Sequence, residues 1–383
     1  MKYNNNMKKC MNLCGRVLCA FLLCLGVIVN SCDDGGGTDL DVFSNSNLSR
    51  YGTANCYIVS KSGDYKFRTV KGNTSVSVGT IESVEVLWES FGTDVTPNIG
   101  DLVKDVQYAD GYIVFQTPDV LKEGNAVIAA KDTDGVILWS WHLWFTDEPR
   151  GQFYYNNAGI MMDRNLGATS ATPGDVGAMG LLYQWGRKDP FIGSSSIIDS
   201  TFAKSTVIWP EAVQSNSNNG TIEYSIAHPT TFIAGDDIRG DWCYMGSQFV
   251  DDSRWTELDQ VKSVYDPCPP GWRVPDGDKN SVWGKAVASS LDYSEESLYD
   301  NINEGINFSG VFGPDKTIWY PSASCRNPID GSLLYVGCGN LWSAYSFPLS
   351  IGAFSIGYNR MNLVDLSDYT PWAYGLSVRC VRE

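Results

Sequence analysis

Eleven cysteines in 383 residues constrain this chain more than any other feature, because their positions divide it by compartment. Cys10, Cys14, Cys19 and Cys24 lie in the first 31 residues, together with Lys2, Lys8, Lys9 and Arg16 and no acidic residue. The apolar run from Val17 to Val29 is shorter than the roughly 20 residues that span a bilayer. It has the length of the hydrophobic region of an export signal. Beyond Cys32, six cysteines remain for an oxidising compartment: Cys56, Cys243, Cys268, Cys325, Cys338 and Cys380. None of them has C-x-x-C spacing, so zinc and thioredoxin-type readings are weak. Six cysteines leave the connectivity open. Cys325 and Cys338 flank the turn-rich stretch Arg326 to Gly331, which a local disulfide would staple. A Cys268–Cys380 bridge would close a loop of about 110 residues, worth about 4–5 kcal/mol by chain entropy. Cys56 and Cys243 either pair with each other or remain buried thiols.

Val29-Asn30-Ser31-Cys32 resembles a bacterial lipobox, with Cys32 as the lipidated residue. Asp33-Asp34 directly behind it resembles the surface-export signal of Bacteroidota lipoproteins. The expectation is a signal peptide over 1–31, a flexible tether over 32–50, and a lipid anchor in the outer membrane with the chain exposed on the cell surface. Loss of the signal takes 28 basic residues to 24 against 44 acidic ones, and the formal charge from −16 to −20. So acidic a surface argues against nucleic acid as a partner and is repelled by anionic headgroups. The lipid must then hold the chain to its membrane.

Residues 51–147 read as an all-β domain. Tyr65, Phe67 and Thr69 alternate with Lys66 and Arg68, and Ile137, Trp139, Trp141, Leu143 and Phe145 line one strand face opposite Ser140 and His142. Val84–Trp88, Tyr112–Phe115 and Asn125–Ala130 are further strands, and Asp134-Gly135 marks a hairpin turn. Short strands at this spacing suggest an immunoglobulin-like sandwich. Residues 146–151 look like a boundary. Residues 152–383 read as α+β, with helices over Ala178–Gly186 and Ser281–Ser290 and a mobile polar insertion over Ser194–Asn219.

Six stretches of this second half carry a resemblance. They are Met162–Ala168, Gly180–Phe191, Tyr265–Pro275, Trp319–Ala323, Leu341–Ala344 and Gly375–Arg382. In this order they resemble the Fibrobacter succinogenes major paralogous domain and its Bacteroidota lipoprotein relatives. The resemblance covers about 152–383 and implies a C-type-lectin-like fold with Cys268 paired to Cys380. Asn55–Val59 is similar to the start of the companion domain of those lipoproteins. The calcium loop of sugar-binding C-type lectins has no counterpart here, since Arg326-Asn327-Pro328 lacks the acid that would ligate Ca²⁺.

Reaction chemistry is sparse. Two histidines, His142 and His228, stand in no nucleophile signature, and no cofactor motif is complete. Asp236-Asp237 with Asp241, Asp251-Asp252, and Asp276 with Asp278 read as solvated turns before they read as metal sites. Arg239-Gly240-Asp241 spells a short adhesive tripeptide. The expected function is a non-enzymatic surface lipoprotein, an adhesin or interaction protein that binds an unknown extracellular protein or glycan. The alternatives are a glycan-binding component of a nutrient-uptake system and, last, an enzyme related to formylglycine-generating enzymes. The candidate binding face is Arg326, Asn327, Asp330, Tyr335, Asn340 and Tyr345, with no metal and no cofactor.

Overall fold

The computed structural model describes residues 46–237, 240–246, 253–255, 261–277, 281–287, 298–334, 337–346, 353–359 and 364–383. The expected export signal, Cys32 and the expected tether up to residue 45 lie outside them.

Period-two alternation decides residues 46–145. Eight strands form: β1 (Ser46–Asn47), β2 (Cys56–Val59), β3 (Asp64–Arg68), β4 (Ser83–Ser90), β5 (Lys104–Ala109), β6 (Tyr112–Gln116), β7 (Gly124–Lys131) and β8 (Ile137–Phe145). They make two four-stranded sheets, β1-β3-β6-β5 and β2-β8-β7-β4. The β7–β8 hairpin closes where Asp132 Oδ1 accepts from the Asp134 and Val136 N–H groups and Gly135 takes φ +78°. Phe67 and Phe115 of one sheet meet Tyr57 and Trp141 of the other, with 5.4 Å between the Phe67 and Trp141 rings. Part of the expected tether is also fixed. Asn47 pairs with Lys66, and Ser49 is buried.

The face carrying Ser140 and His142 is not solvated, as simple alternation would have it. Ser140 donates to Asp189 at 2.5 Å, Trp144 Nε1 donates to the Ala168 carbonyl, and Asn125 donates to that of Gly167. Every residue of β7 from Gly124 to Ala130 is buried. Trp88, Val127 and Trp144 therefore share a core with Met162, Trp185 and Trp342 of the second half. The described residues from Ser46 to Glu383 belong to one compact unit.

The regular structure of the second half is also mainly short strands, which corrects the α+β expectation to a mostly β chain with several sheets. Val381–Arg382 lies between Trp272–Arg273 and Gly159–Met162, with Gly151–Tyr154 beyond. The Cys268–Cys380 disulfide ties this sheet's last strand to the loop before Trp272, with Cα atoms 6.1 Å apart. A larger sheet runs Leu333–Leu334, Cys325–Arg326, Gly375–Ser377, Cys338–Ser346, Ala353–Asn359, Val364–Thr370.

One helix expectation changes; the other is met over its described part, and residues 288–290 of it lie outside the described residues. Over 178–186 there is no helix. A 3₁₀ turn at Val176–Ala178 gives way to a strand, Leu182–Gln184, paired with Gly375–Ser377. Gly180 and Gly186, at φ +75° and +82°, end any helical run there. In the second case Ser281 caps a short helix over Val282–Ala286 by accepting from the Gly284 N–H. A further helix, Ile222–Ala227, starts at Thr221, which accepts from the Tyr224 N–H.

Within 194–219 the stretch around Lys204, Thr206 and Trp209 is anchored to the first half, while residues 198–201 and 217–218 are exposed. Lys204 and Thr206 N–H groups donate to the Thr93 and Glu89 carbonyls, Ser90 Oγ donates to the Lys204 carbonyl, and the Trp209 ring stands 5.5 Å from Trp88.

Candidate functional site

The hairpin holding Arg326 is set by its turn. Cys325–Arg326 pairs with Leu333–Leu334, and the Asn327 N–H donates to the Ser332 carbonyl at 2.8 Å. Gly331 takes φ +72°, and a Cβ there would fall 2.9 Å from the Phe232 ring, so two separate demands require glycine. The Arg326 stem crosses Gly375, its cross-strand neighbour, where an added Cβ would lie 2.9 Å from the Arg326 Cβ.

This arrangement drives the guanidinium into the protein. Nε and Nη2 donate to the Ile192 carbonyl at 3.1 and 2.8 Å, and Nη1 donates to that of Gly331 at 3.2 Å. Four rings surround it: Phe202, Phe191, Trp209 and Phe232, with centroids 4.6, 5.2, 5.8 and 5.9 Å from Cζ. No carboxylate pairs with it among the described residues. Burial alone pushes its pKa down to about 9.

Arg326 lines an open cavity of about 590 Å³. Phe202 and Trp209 give it an apolar wall. Lys204, Glu211 and Asp330 line it as exposed residues, and Ser205 and Ser332 as half-buried ones. Asp330 accepts from the Ser332 N–H and Oγ, which holds its carboxyl below the usual range. Arg187 and Arg379 are buried in a similar manner on backbone carbonyls, but neither lines this cavity.

Of the residues expected on the binding face, the cavity brings together Arg326 and Asp330. Asn327 belongs to the turn, where its Oδ1 accepts from the Ile329 N–H. Asn340 opens instead onto two neighbouring cavities of about 320 and 400 Å³, shared with Cys338 and Asp368. Burial and then Asp365 raise the Asp368 carboxyl there. Tyr345 is partly exposed on the strand Cys338–Ser346, and Tyr335 lies outside the described residues. Phe202, Lys204, Trp209 and Glu211 were not anticipated. The Trp209-Pro210-Glu211 step inside a Ser- and Asn-rich stretch was the signal available.

Several other expectations change. The Cys325–Cys338 bridge is not made, since Cys325 is a buried thiol in this structure. Asp241 is buried against Arg254 at 2.7 Å, so the adhesive tripeptide does not present its acid. Asp276 pairs with Arg273. Asp251, Asp252 and Asp278 lie outside the described residues. No group of three or more metal-ligating side chains occurs among the described residues. No described tryptophan is among the strongly exposed apolar residues, so a flat stacking platform of tryptophans is absent from them.

Comparisons with family models, with curated proteins and with solved structures find no match for this chain.

Proposed function

We propose that this chain is a lipid-anchored surface protein that captures an extracellular ligand in the Arg326 cavity, acting as an adhesin or interaction protein and not as an enzyme. One observation carries the reading. A buried guanidinium with no carboxylate partner among the described residues lines an open cavity of about 590 Å³. A buried charge without a counter-charge is costly, and an incoming anion lowers that cost. Loops held on a rigid β frame commonly carry binding. The anchor at Cys32 and surface display rest on the lipobox and the acidic pair behind it. The lectin-like character of residues 152–383 is supported by the Cys268–Cys380 bridge, the pairing that the family resemblance implies.

The test has two arms. Protease added to whole cells should remove the chain, and a chain left intact rules out surface display. The purified full chain is also applied to an array of glycans and extracellular proteins. Retention that the Trp209→Ala variant loses assigns binding to the cavity, and retention that it keeps moves the site elsewhere.

A further inference from the structure

We infer that the Arg326 cavity receives the carboxylate of an acidic sugar residue, an inference that rests on reading this cavity as the ligand site. Three of the five guanidinium N–H groups are engaged, those given to the Ile192 and Gly331 carbonyls. One N–H remains on each terminal nitrogen. Two N–H groups on one planar group match the two oxygens of a carboxylate, which a spherical cation would not select for.

The rest of the cavity fits a polar ring and not a bare anion. Phe202 and Trp209 offer an apolar wall to the C–H face of a pyranose. Ser205, Ser332 and Asp330 of its lining can exchange hydrogen bonds with ring hydroxyls. Lys204 adds a second positive charge to that lining. The acids Asp330 and Glu211 are exposed, so solvent screens their repulsion of an incoming carboxylate. Arg326 is buried and its attraction is screened far less. The volume suits one or two sugar units. Without an exposed tryptophan platform, the recognition falls on the terminal residue of a chain and not on its length.

The experiment is calorimetric titration of the full chain, purified in detergent, with D-glucuronate and N-acetylneuraminate. Their methyl esters, D-glucose, and one tetrapeptide with either a free or an amidated C-terminus serve as controls. The inference expects at least one free acid sugar to bind 10-fold or more tightly than its own ester, with that binding lost in Trp209→Ala. The acid–ester comparison needs no variant, so a poorly folding Arg326 mutant cannot obscure it. Arg326→Lys, which keeps the charge and loses the planar fork, should cut the acid–ester ratio severalfold. Equal binding of acid and ester, or binding of neutral sugar alone, overturns the carboxylate and leaves the cavity as the ligand site if Trp209→Ala still abolishes it. Tighter binding of the free-ended peptide than of any sugar overturns the sugar. Acid binding that is indifferent to Trp209→Ala overturns the cavity reading as well. If no panel member binds while the array retention depends on Trp209, the inference fails and the proposed function stands.

Discussion

Nη2 of Arg326 donates to the carbonyl oxygen of Ile192 at 2.8 Å, across 134 residues of sequence. This bond and its Nε companion join the strand Cys325–Arg326 to the segment that continues into the anchored stretch around Lys204, Thr206 and Trp209. Arg326 therefore has a structural role as well as lining the cavity. Arg326→Ala would leave two carbonyls without donors and empty a space ringed by four aromatics. The expected loss is about 3 kcal/mol of unfolding free energy, read as a lower urea midpoint at unchanged slope.

Cys268 and Cys380 are separated by 112 residues, and their bond restrains a large loop in the unfolded chain. Replacing both by alanine should cost about 4–5 kcal/mol in the chain-entropy model. The same shift should follow reduction of the wild-type protein, and the double variant should then be insensitive to reductant.

Cys325 should resist modification. Burial pushes its thiol up to about 12, with Cys338 adding to the shift. Alkylation with iodoacetamide at pH 8, followed by peptide mass, should run about 100-fold slower at Cys325 than at an exposed thiol in the native protein. Rapid labelling before unfolding would show that the hairpin opens.

Two buried groups bend the stability curve in opposite directions. His142, packed on β8 with Nε2 2.9 Å from Asn125 Oδ1, is pushed down to about 3 by burial. Its folded value lies below its unfolded one. The stability it contributes is complete above about pH 6.5 and drains away as pH falls toward 3. Asp266 is raised to about 6, mainly by burial and despite Lys262 nearby. Its contribution is complete below about pH 4 and is lost as pH rises through 6. Between pH 4 and 6 the two slopes oppose each other. His142→Gln should leave the Asp266 slope uncovered, so that stability rises on acidification through that window. Denaturant midpoints at half-unit pH steps measure both slopes.

How much of this was legible in the sequence differs by element. The β7–β8 hairpin was legible because Asp134-Gly135 is a local turn signal and Trp139, Trp141 and Leu143 alternate strictly. The burial of Ser140 and His142 was not, since alternation reports two faces but not whether a second layer covers the polar one. Ala178–Gly186 read as a helix because Leu181, Leu182 and Trp185 have helical spacing. Pairing with Gly375–Ser377 overrides that local preference. Arg326 and Asp330 were legible only as polar residues on a turn-rich stretch between Cys325 and Cys338. Their partners across the cavity, Phe202 and Trp209, stand more than 110 residues earlier in a stretch whose serines and asparagines suggest solvent. Only the tertiary contacts with Glu89, Ser90 and Trp88 show where it is anchored.

We propose that the Arg326 cavity is where this protein takes its ligand. The most direct measurement compares wild type and Trp209→Ala for affinity toward the strongest array partner, with both melting curves recorded. A 10-fold or greater loss of affinity with at most a few degrees' change in melting is the predicted result. Equal affinities for the two proteins would contradict the claim.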